Sequence, residues 1–305
     1  MTIGGDVRKR GDSLFDKELK KQGGDMSFIT RNVKDILAGD DMTLINFEGT
    51  LTTAPVYKTN NQFVFSAPTD YVQFLKNGSI EAVALENNHV DDHGEAGLRE
   101  TKETLDRAGI VWSDSSNVGV FRVYDVTIAM LTYQQKRDRV EALLTQVPQD
   151  VAAAKERYDI VIVSYHWGEE LDYWPNANQV RLGRLTIDSG ADLVLGHHSH
   201  RINPIERYKD RLIAYSLGNF SFAGNSKPND MSTFLLQVKF KVVGDTVTTD
   251  SFRIIPARIS SKSDYNDFAI TPFTEQRHID NVLSVLKTNG KRLDYAVDYY
   301  PLDWE

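Results

Sequence analysis

Three histidines within four positions are the residues of this sequence best suited to chemistry. His197, His198 and His200 follow Gly196 and the apolar run 193–195. Neutral imidazole is the commonest metal ligand in proteins, and two histidines placed two apart on one loop can turn both rings toward one point. The pattern therefore predicts a buried strand that ends in a metal-binding loop.

The same arrangement occurs twice earlier in the chain. The apolar run 160–163 leads to His166, and the run 82–85 leads to Asn88 and His89. Open α/β sheets place their ligand sites at the carboxyl ends of the strands, so these side chains are candidate site residues. A lone histidine after a strand is more often an ordinary hydrogen-bonded residue. Clustered imidazoles would repel one another when protonated, however, so the repetition favours a metal.

The elements that must position these residues alternate between helix and strand, which predicts an α/β fold with a largely parallel sheet. Helical spacing predicts helices at 13–22, 30–38, 68–77, 97–108, 148–158, 178–189 and 274–288. Ser13, with the carboxylate of Asp16 three residues later, predicts the N-cap of the first of them. Apolar runs predict strands at 42–49, 80–85, 160–165 and 211–217. Alternating patterns around short polar breaks predict hairpins at 118–133 and 232–255.

Composition limits the function further. The 305 residues are 41% hydrophobic and carry 43 acidic against 35 basic side chains, a net charge of −8. This charge disfavours a nucleic-acid partner and a polybasic membrane patch. The absence of cysteine excludes disulfides, thiolate metal sites and a cysteine nucleophile.

No Gly/Ser-rich or Pro-rich linker divides the sequence, although its length alone would permit two domains. We predict a main domain at 1–262 and a C-terminal helical appendage at 263–305. A strand pattern that starts near the second residue also predicts that the natural protein carries an upstream export or anchor segment, absent from this chain.

Seven motifs, taken in order, resemble the bacterial poly-γ-glutamate capsule biosynthesis protein CapA family, which is similar to the calcineurin-like metallophosphoesterases. They are Gly5-Asp6, Asn46-Phe47-Glu48-Gly49, Asn87-Asn88-His89 with Asp92 and Gly94, His166-Trp167-Gly168-Glu169, Gly190-Ala191-Asp192, Gly196-His197-His198-Ser199-His200 and Tyr215-Ser216-Leu217-Gly218-Asn219-Phe220. The resemblance covers about residue 3 to about residue 222. It implies a two-sheet β-sandwich flanked by helices.

The resemblance also implies one or two divalent transition-metal ions. Its implied ligands are Asp6, Glu48, Asn88, His166, His198 and His200. This mixed nitrogen and oxygen set suits Mn, Fe or Zn better than Ca or Mg. His89 is implied as the acid that protonates a leaving group. Asp92 is either its orienting partner or a turn cap, and both readings stay open.

Residues predicted to contact substrate are Arg8, Asn46, Trp174 and Asn219. Tyr173 and Trp167 would also suit a binding rim, although packing is the alternative and is favoured for Trp167.

Two positions depart from the usual metallophosphoesterase pattern. Arg8 stands where a histidine is expected two residues after the first aspartate, and Glu48 stands in place of the bridging aspartate. Arg8 is suited to bind a phosphate or carboxylate with two hydrogen bonds, or to pair with a loop carboxylate.

Two functions from different classes follow. One is metal-dependent hydrolysis of a phosphoester or related bond, because two metals can stabilise both oxygens of an in-line displacement. The other is a non-catalytic cell-surface component of capsule assembly that binds an anionic polymer through its metals. The expected partners are an anionic small molecule or polymer and a capsule-synthesis membrane complex, and the expected location is the bacterial cell surface or exterior.

Overall fold

The structure is a computed structural model that describes residues 1–8, 12–56 and 62–304. The chain forms two compact units that interleave along the sequence. The first contains Met1–Trp112, Asn219–Met231 and Arg258–Pro272. The second contains Ser113–Gly218, Ser232–Ala257 and Phe273–Glu305. The predicted division at residue 262 stays a prediction.

Short strands and four helices make up residues 1–113. In chain order they are β1 (Gly5–Asp6), α1 (Leu14–Lys21), α2 (Lys34–Leu37), β2 (Leu44–Asn46), β3 (Thr50–Leu51), β4 (Phe65–Ala67), α3 (Val72–Asn77), β5 (Ala82–Ala84), α4 (Gly94–Ala108) and β6 (Val111–Ser113). They form two three-stranded sheets, with the strand orders β1-β4-β3 and β2-β5-β6. Single 3-10 turns at Thr69–Tyr71 and Arg137–Arg139 precede the third and fifth helices.

Longer elements make up most of the remaining chain. They are β7 (Gly119–Val123), β8 (Val126–Gln134), α5 (Val140–Lys155), β9 (Ile160–His166), α6 (Ala177–Asp188), β10 (Leu193–His197), β11 (Ile205–Tyr208), β12 (Arg211–Ala214), β13 (Ser232–Val243), β14 (Thr246–Arg258), β15 (Thr271–Pro272) and α7 (Gln276–Gly290). The mixed α/β class is therefore confirmed, while the two-sheet sandwich stays a prediction. Among the described residues, no helix is both long and apolar enough to cross a membrane.

An aromatic cluster forms the centre of the first unit. The ring of Phe15 lies 5.3 Å from the rings of Phe74 and Phe268, and Phe28 lies 5.6 Å from Phe74. Phe15 can reach this cluster because α1 begins at a capping box, in which Ser13 and Asp16 each accept from the other's backbone N–H. The sequence pattern predicted this cap.

A six-stranded sheet organises the second unit. Its strand order is β11-β12-β10-β9-β8-β7, with β8, β9, β10 and β12 parallel and the outer strands antiparallel. One face packs on α5 and α6 through large aromatic side chains, including Tyr165, which stacks on Trp167 at 4.4 Å. The C-terminal segment extends the pairing of β11, because Arg207 N donates to Tyr295 O and Val297 N to Ile205 O, both at 2.9 Å.

Both predicted hairpins are confirmed, but two predicted helices need correction. The fifth helix begins at Val140, and Pro148 lies inside it instead of starting it. Its buried stripe of Val140, Val147 and Val151 continues through the proline, so packing outweighs the lost N–H donor. In the region 30–38 only Lys34–Leu37 is α-helical. The residues before it form i→i+3 turns, such as Val33 N to Thr30 O at 2.9 Å.

The start of α6 gives a stability prediction. Asn176 accepts from the backbone N–H groups of Asn178 and Gln179, and the Gln179 side chain accepts from Asn176 N at 2.9 Å. We expect Asn176→Ala to lower the free energy of unfolding by about 1 kcal/mol, because one N-cap acceptor is lost. Urea titration followed by circular dichroism would measure this. Asn178→Ala, at an exposed position on the same helix, is the control and should change little.

Candidate functional site

Two neighbouring parallel strands of the first unit carry predicted site residues beyond their carboxyl ends. β2 pairs with β5, with Asn46 opposite Ala84, and the chain continues from them to Glu48 and to Asn88. Asn87 ties the two loops together: its amide donates to Phe47 O at 2.8 Å and accepts from His89 N at 3.0 Å. This buried amide holds the two loops in register, a role that the sequence pattern did not reveal.

His89 and Asp92 form a buried pair. His89 Nδ1 lies 2.7 Å from Asp92 Oδ2, and Asp92 is fully buried. The imidazole also packs edge-on against Phe65, with ring centres 4.6 Å apart. A carboxylate on Nδ1 favours the tautomer that carries its proton there and fixes the orientation of the ring. The contact fits the reading of Asp92 as the orienting partner of His89, and that role stays a prediction.

Arg8 pairs with Asp6. Arg8 Nε lies 3.1 Å from Asp6 Oδ1, and its terminal nitrogen lies 3.2 Å from Oδ2. Burial alone would raise the pKa of Asp6, but hydrogen bonds from Arg8 and from Val64 N outweigh it and lower the pKa. Both oxygens of this carboxylate therefore already accept from a guanidinium.

Strand β4 and the residue before it hold the two aspartates. Val64 N donates to Asp6 Oδ1 at 3.3 Å, and Phe65 N donates to Asp92 Oδ2 at 3.0 Å. Successive backbone N–H groups thus fix both carboxylates, which brings Asp6 and the His89–Asp92 pair to the same strand.

The hydrogen bonding of one buried amide oxygen bears on whether this region suits a metal. Asn88 Oδ1 is buried and has no hydrogen-bond partner among the described residues. Leaving such an atom without a donor costs about 1–3 kcal/mol, which a bound cation would offset. Glu48 is also buried and reaches the same end of the β2–β5 pair. The donors Asn88 and Glu48 fit a divalent cation, whereas Asp6 would have to share its oxygens with Arg8.

In the second unit, β9 and β10 lie side by side and end together. His166 lies opposite His197, and Trp167 N donates to His197 O at 3.2 Å. Trp167 is fully buried, and its Nε1 donates to Tyr215 O at 2.9 Å, so it is a core residue.

The histidine loop that follows β10 has an unusual backbone. His198 has φ +99° and His200 has φ +54°, backbone angles that residues other than glycine seldom adopt. The ring centre of His198 lies 4.5 Å from that of His166 and 6.4 Å from that of His200. Backbone strain of this kind is held in place by the surrounding structure and clusters at functional sites. Burial lowers the pKa of His197 to about 3, so this ring is neutral at physiological pH.

The segment 167–176 is hydrogen-bonded to the histidine loop, residues 198–200, and to the residues that follow it. Leu171 N donates to Ser199 O at 2.7 Å, and Asn203 Nδ2 donates to Asp172 O at 2.9 Å. The segment presents Leu171 and Trp174 to solvent, with 57% and 37% of their surfaces exposed.

The predicted site residues divide between the units. The first unit holds Asp6, Arg8, Asn46, Glu48, Asn88, His89, Asp92 and Asn219, and the second holds His166, Trp174, His198 and His200. Across residues 1–8, 12–56 and 62–304, neither unit gathers three His, Cys, Asp or Glu side chains that could hold a metal ion. The six-residue ligand set therefore stays a prediction.

Comparisons with known proteins cover most of the chain. The model of a family described as "Bacterial capsule synthesis protein PGA_cap" matches residues 5–223. PGA biosynthesis protein CapA of Bacillus subtilis (strain 168) is 32% identical over 265 residues, which are 80% of this chain and 68% of that protein. Capsule biosynthesis protein CapA of Bacillus anthracis is 29% identical over 241 residues, 70% of this chain and 58% of that protein.

A third relative has a related name. It is the "Probable polyglutamine synthesis accessory protein" of Mycobacterium tuberculosis (strain CDC 1551 / Oshkosh), which is 29% identical over 255 residues, 72% of this chain. The match spans 66% of that protein. The chain thus matches less than two thirds of the length of the Bacillus anthracis and Mycobacterium tuberculosis proteins.

Proposed function

The chain belongs to the bacterial capsule synthesis protein PGA_cap family, and we propose that it is an accessory protein of capsule synthesis with a metal-dependent hydrolytic site. The hydrolysed bond is a phosphoester or a related bond. The observation that carries the proposal is the buried His89–Asp92 pair, with 2.7 Å between Nδ1 and Oδ2. A histidine oriented in this way is suited to general acid catalysis.

The residues of this chain have separate roles in that reaction. Asp92 accepts from Nδ1 of His89, so in the imidazolium form Nε2 carries the second proton, which passes to the leaving group. Phe65 packs on the imidazole and limits its movement. When bound, a Mn, Fe or Zn ion would supply Lewis acidity at the scissile group.

The proposed ligands are Asp6, Glu48 and Asn88 in the first unit and His166, His198 and His200 in the second. What supports them is the Asn88 oxygen, which has no partner within the described ranges, in one unit and the close His166 and His198 rings in the other. Neutral imidazoles and carboxylates together suit one or two transition-metal ions.

Metal content tests this ligand set directly. We expect His166→Ala and Glu48→Gln each to remove at least half of the Mn or Zn that the dialysed protein retains, because each loses a ligand. Mass spectrometry of the metals would measure it. His278→Ala, on helix α7, is the matched control and should retain all of the metal. Unchanged metal in His166→Ala would contradict the assignment.

A non-catalytic role in polymer binding is the second candidate, and one contact favours it. Arg8 donates to both oxygens of Asp6, which weakens this carboxylate as a ligand. Assays of phosphomonoester and phosphodiester substrates with added Mn or Zn separate the two candidates. Metal binding without any turnover would support the polymer-binding role.

We also propose that the protein acts at the bacterial cell surface, with a capsule-synthesis membrane complex as its partner. The names of the relatives support this, since they describe capsule biosynthesis and synthesis accessory proteins. Fractionation of cells that express the natural gene, followed by cross-linking, would test both points. Recovery in the cytosolic fraction alone would contradict the location.

A further inference from the structure

Two arginines of the second unit lie on the aromatic rings of the segment 167–176. Arg201 Cζ is 5.6 Å from the centre of the Tyr173 ring, and Arg292 Cζ is 4.0 Å from that of Trp174. Trp174 has 37% of its surface exposed to solvent. Cation–π stacking holds one face of each guanidinium against a ring and leaves its N–H edge open to a ligand.

Neither guanidinium forms an ion pair with a carboxylate in the part of the chain that the structure describes. The Arg201 side chain donates to the backbone oxygen of His200 at 2.8 Å, and the Arg292 side chain lies over the Trp174 ring. In a chain with eight more acidic than basic residues, two such arginines on adjacent aromatic residues are available for an external anion.

The surrounding charge determines how an anion would be recognised. Glu169, Glu170 and Asp172 lie in the same segment as the two aromatic residues, so long-range attraction of a polyanion is weak here. Recognition must then depend on short-range hydrogen bonds. A planar guanidinium matches the two oxygens of a carboxylate, which a lysine ammonium cannot do in the same geometry.

We propose that Arg201 and Arg292, supported by Tyr173 and Trp174, form an arginine rim that binds the pendant carboxylates of an anionic polymer without needing a metal ion. The choice of polymer rests on the proposed function, which implies a capsule polymer of the polyglutamate type. The rim follows the histidine loop directly, because Arg201 is the residue after His200 and Arg201 N donates to Ser199 Oγ at 3.2 Å. A polymer bound there passes beside the histidines of the second unit.

Binding of oligo-γ-glutamate to the full chain in the presence of a chelator tests the rim. Isothermal titration should show about tenfold weaker binding for Arg201→Ala, because a charge-assisted hydrogen-bonded pair is lost. Arg292→Ala should weaken binding roughly threefold, since Arg292 is more exposed. Arg201→Lys should not restore binding, because it keeps the charge and loses the planar fork.

A matched control is available in the same unit. Arg157 also lies on an aromatic ring, with its Cζ 5.3 Å from Tyr158, but it precedes β9 at the end opposite His166. Arg157→Ala should leave oligo-γ-glutamate binding unchanged. Tyr173→Leu removes the support under Arg201 without removing its bond to His200, and it should weaken binding.

The probes distinguish the ligand. Oligo-γ-glutamate whose carboxylates are amidated should not bind, and equal binding of that oligomer would overturn the rim. Binding of inorganic polyphosphate alone would overturn the carboxylate assignment, and so would full rescue by Arg201→Lys. Arg292 is not a proposed metal ligand, so the metal content of Arg292→Ala should match the wild type. Loss of polymer binding with the metal content intact supports the rim, whereas loss of metal in the ligand variants tests only the proposed function.

Discussion

His89→Ala should lower kcat for a phosphoester substrate by about 10²–10⁴-fold while the metal content stays unchanged, because the substitution removes the proposed general acid and no proposed metal ligand. The two side chains differ in their contacts, since His89 Nδ1 lies against Asp92 whereas the Asn88 oxygen has no partner among the described residues. Initial rates with a chromogenic phosphodiester, together with metal analysis of the same preparations, would measure the effect.

Two further variants control this experiment. Asp92→Asn keeps the size of the side chain and should cause a smaller loss, because it removes the charge that orients and stabilises the imidazole. His89→Gln keeps most of the packing against Phe65 and should lose as much activity as His89→Ala. If His89→Ala lost its metal without any folding defect, the roles of His89 and Asn88 would have to be exchanged or abandoned.

Gly196→Ala should lower the free energy of unfolding by more than about 3 kcal/mol, at the upper end of what overpacking produces. A Cβ atom at Gly196 would lie 2.0 Å from Tyr215 O and 2.4 Å from Trp167 Nε1, so it would collide with both partners of a buried hydrogen bond. Neither β10 nor the Tyr215 backbone can move without disturbing the parallel sheet. Chemical denaturation followed by tryptophan fluorescence would measure the loss.

Gly244→Ala is the matched control for this steric effect. Gly244 has φ +57°, and a Cβ there would meet nothing within 4 Å. The substitution therefore adds only backbone strain, which costs about 1–2 kcal/mol. Equal destabilisation by the two variants would contradict the steric explanation for Gly196.

Local patterns predicted the elements whose signals lie close together in sequence. The Ser13 capping box and the hairpin around Tyr124 and Asp125 are examples, because each depends on residues within a few positions of one another. The strands Thr50–Leu51 and Phe65–Ala67 were not predicted. They are only two and three residues long and exist because they pair with each other and with β1. No periodicity is visible over so few residues.

The sequence identified the candidate site residues whose side-chain type suits a metal or proton transfer, but not the residues that hold them in place. The His89–Asp92 contact was one of two readings of Asp92, and it came from the resemblance to the capsule protein family. The role of Phe65 was not anticipated. Its ring packs on His89, which is 24 positions away, and its backbone N–H donates to Asp92, which is 27 positions away. Arg201 and Arg292 were likewise missed as a pair, because only tertiary structure brings Arg292 to Trp174.

The backbone pairing of residues 295–297 with β11 bears on how the protein can be shortened. The family match ends at residue 223, yet the outer edge of β11 is covered by Tyr295 and Val297 through two hydrogen bonds. A chain truncated at the family boundary would expose that edge as a template for pairing with other chains, which invites aggregation. It would also lose Arg258–Pro272 from the first unit. The smallest soluble fragment therefore has to extend well beyond the family boundary.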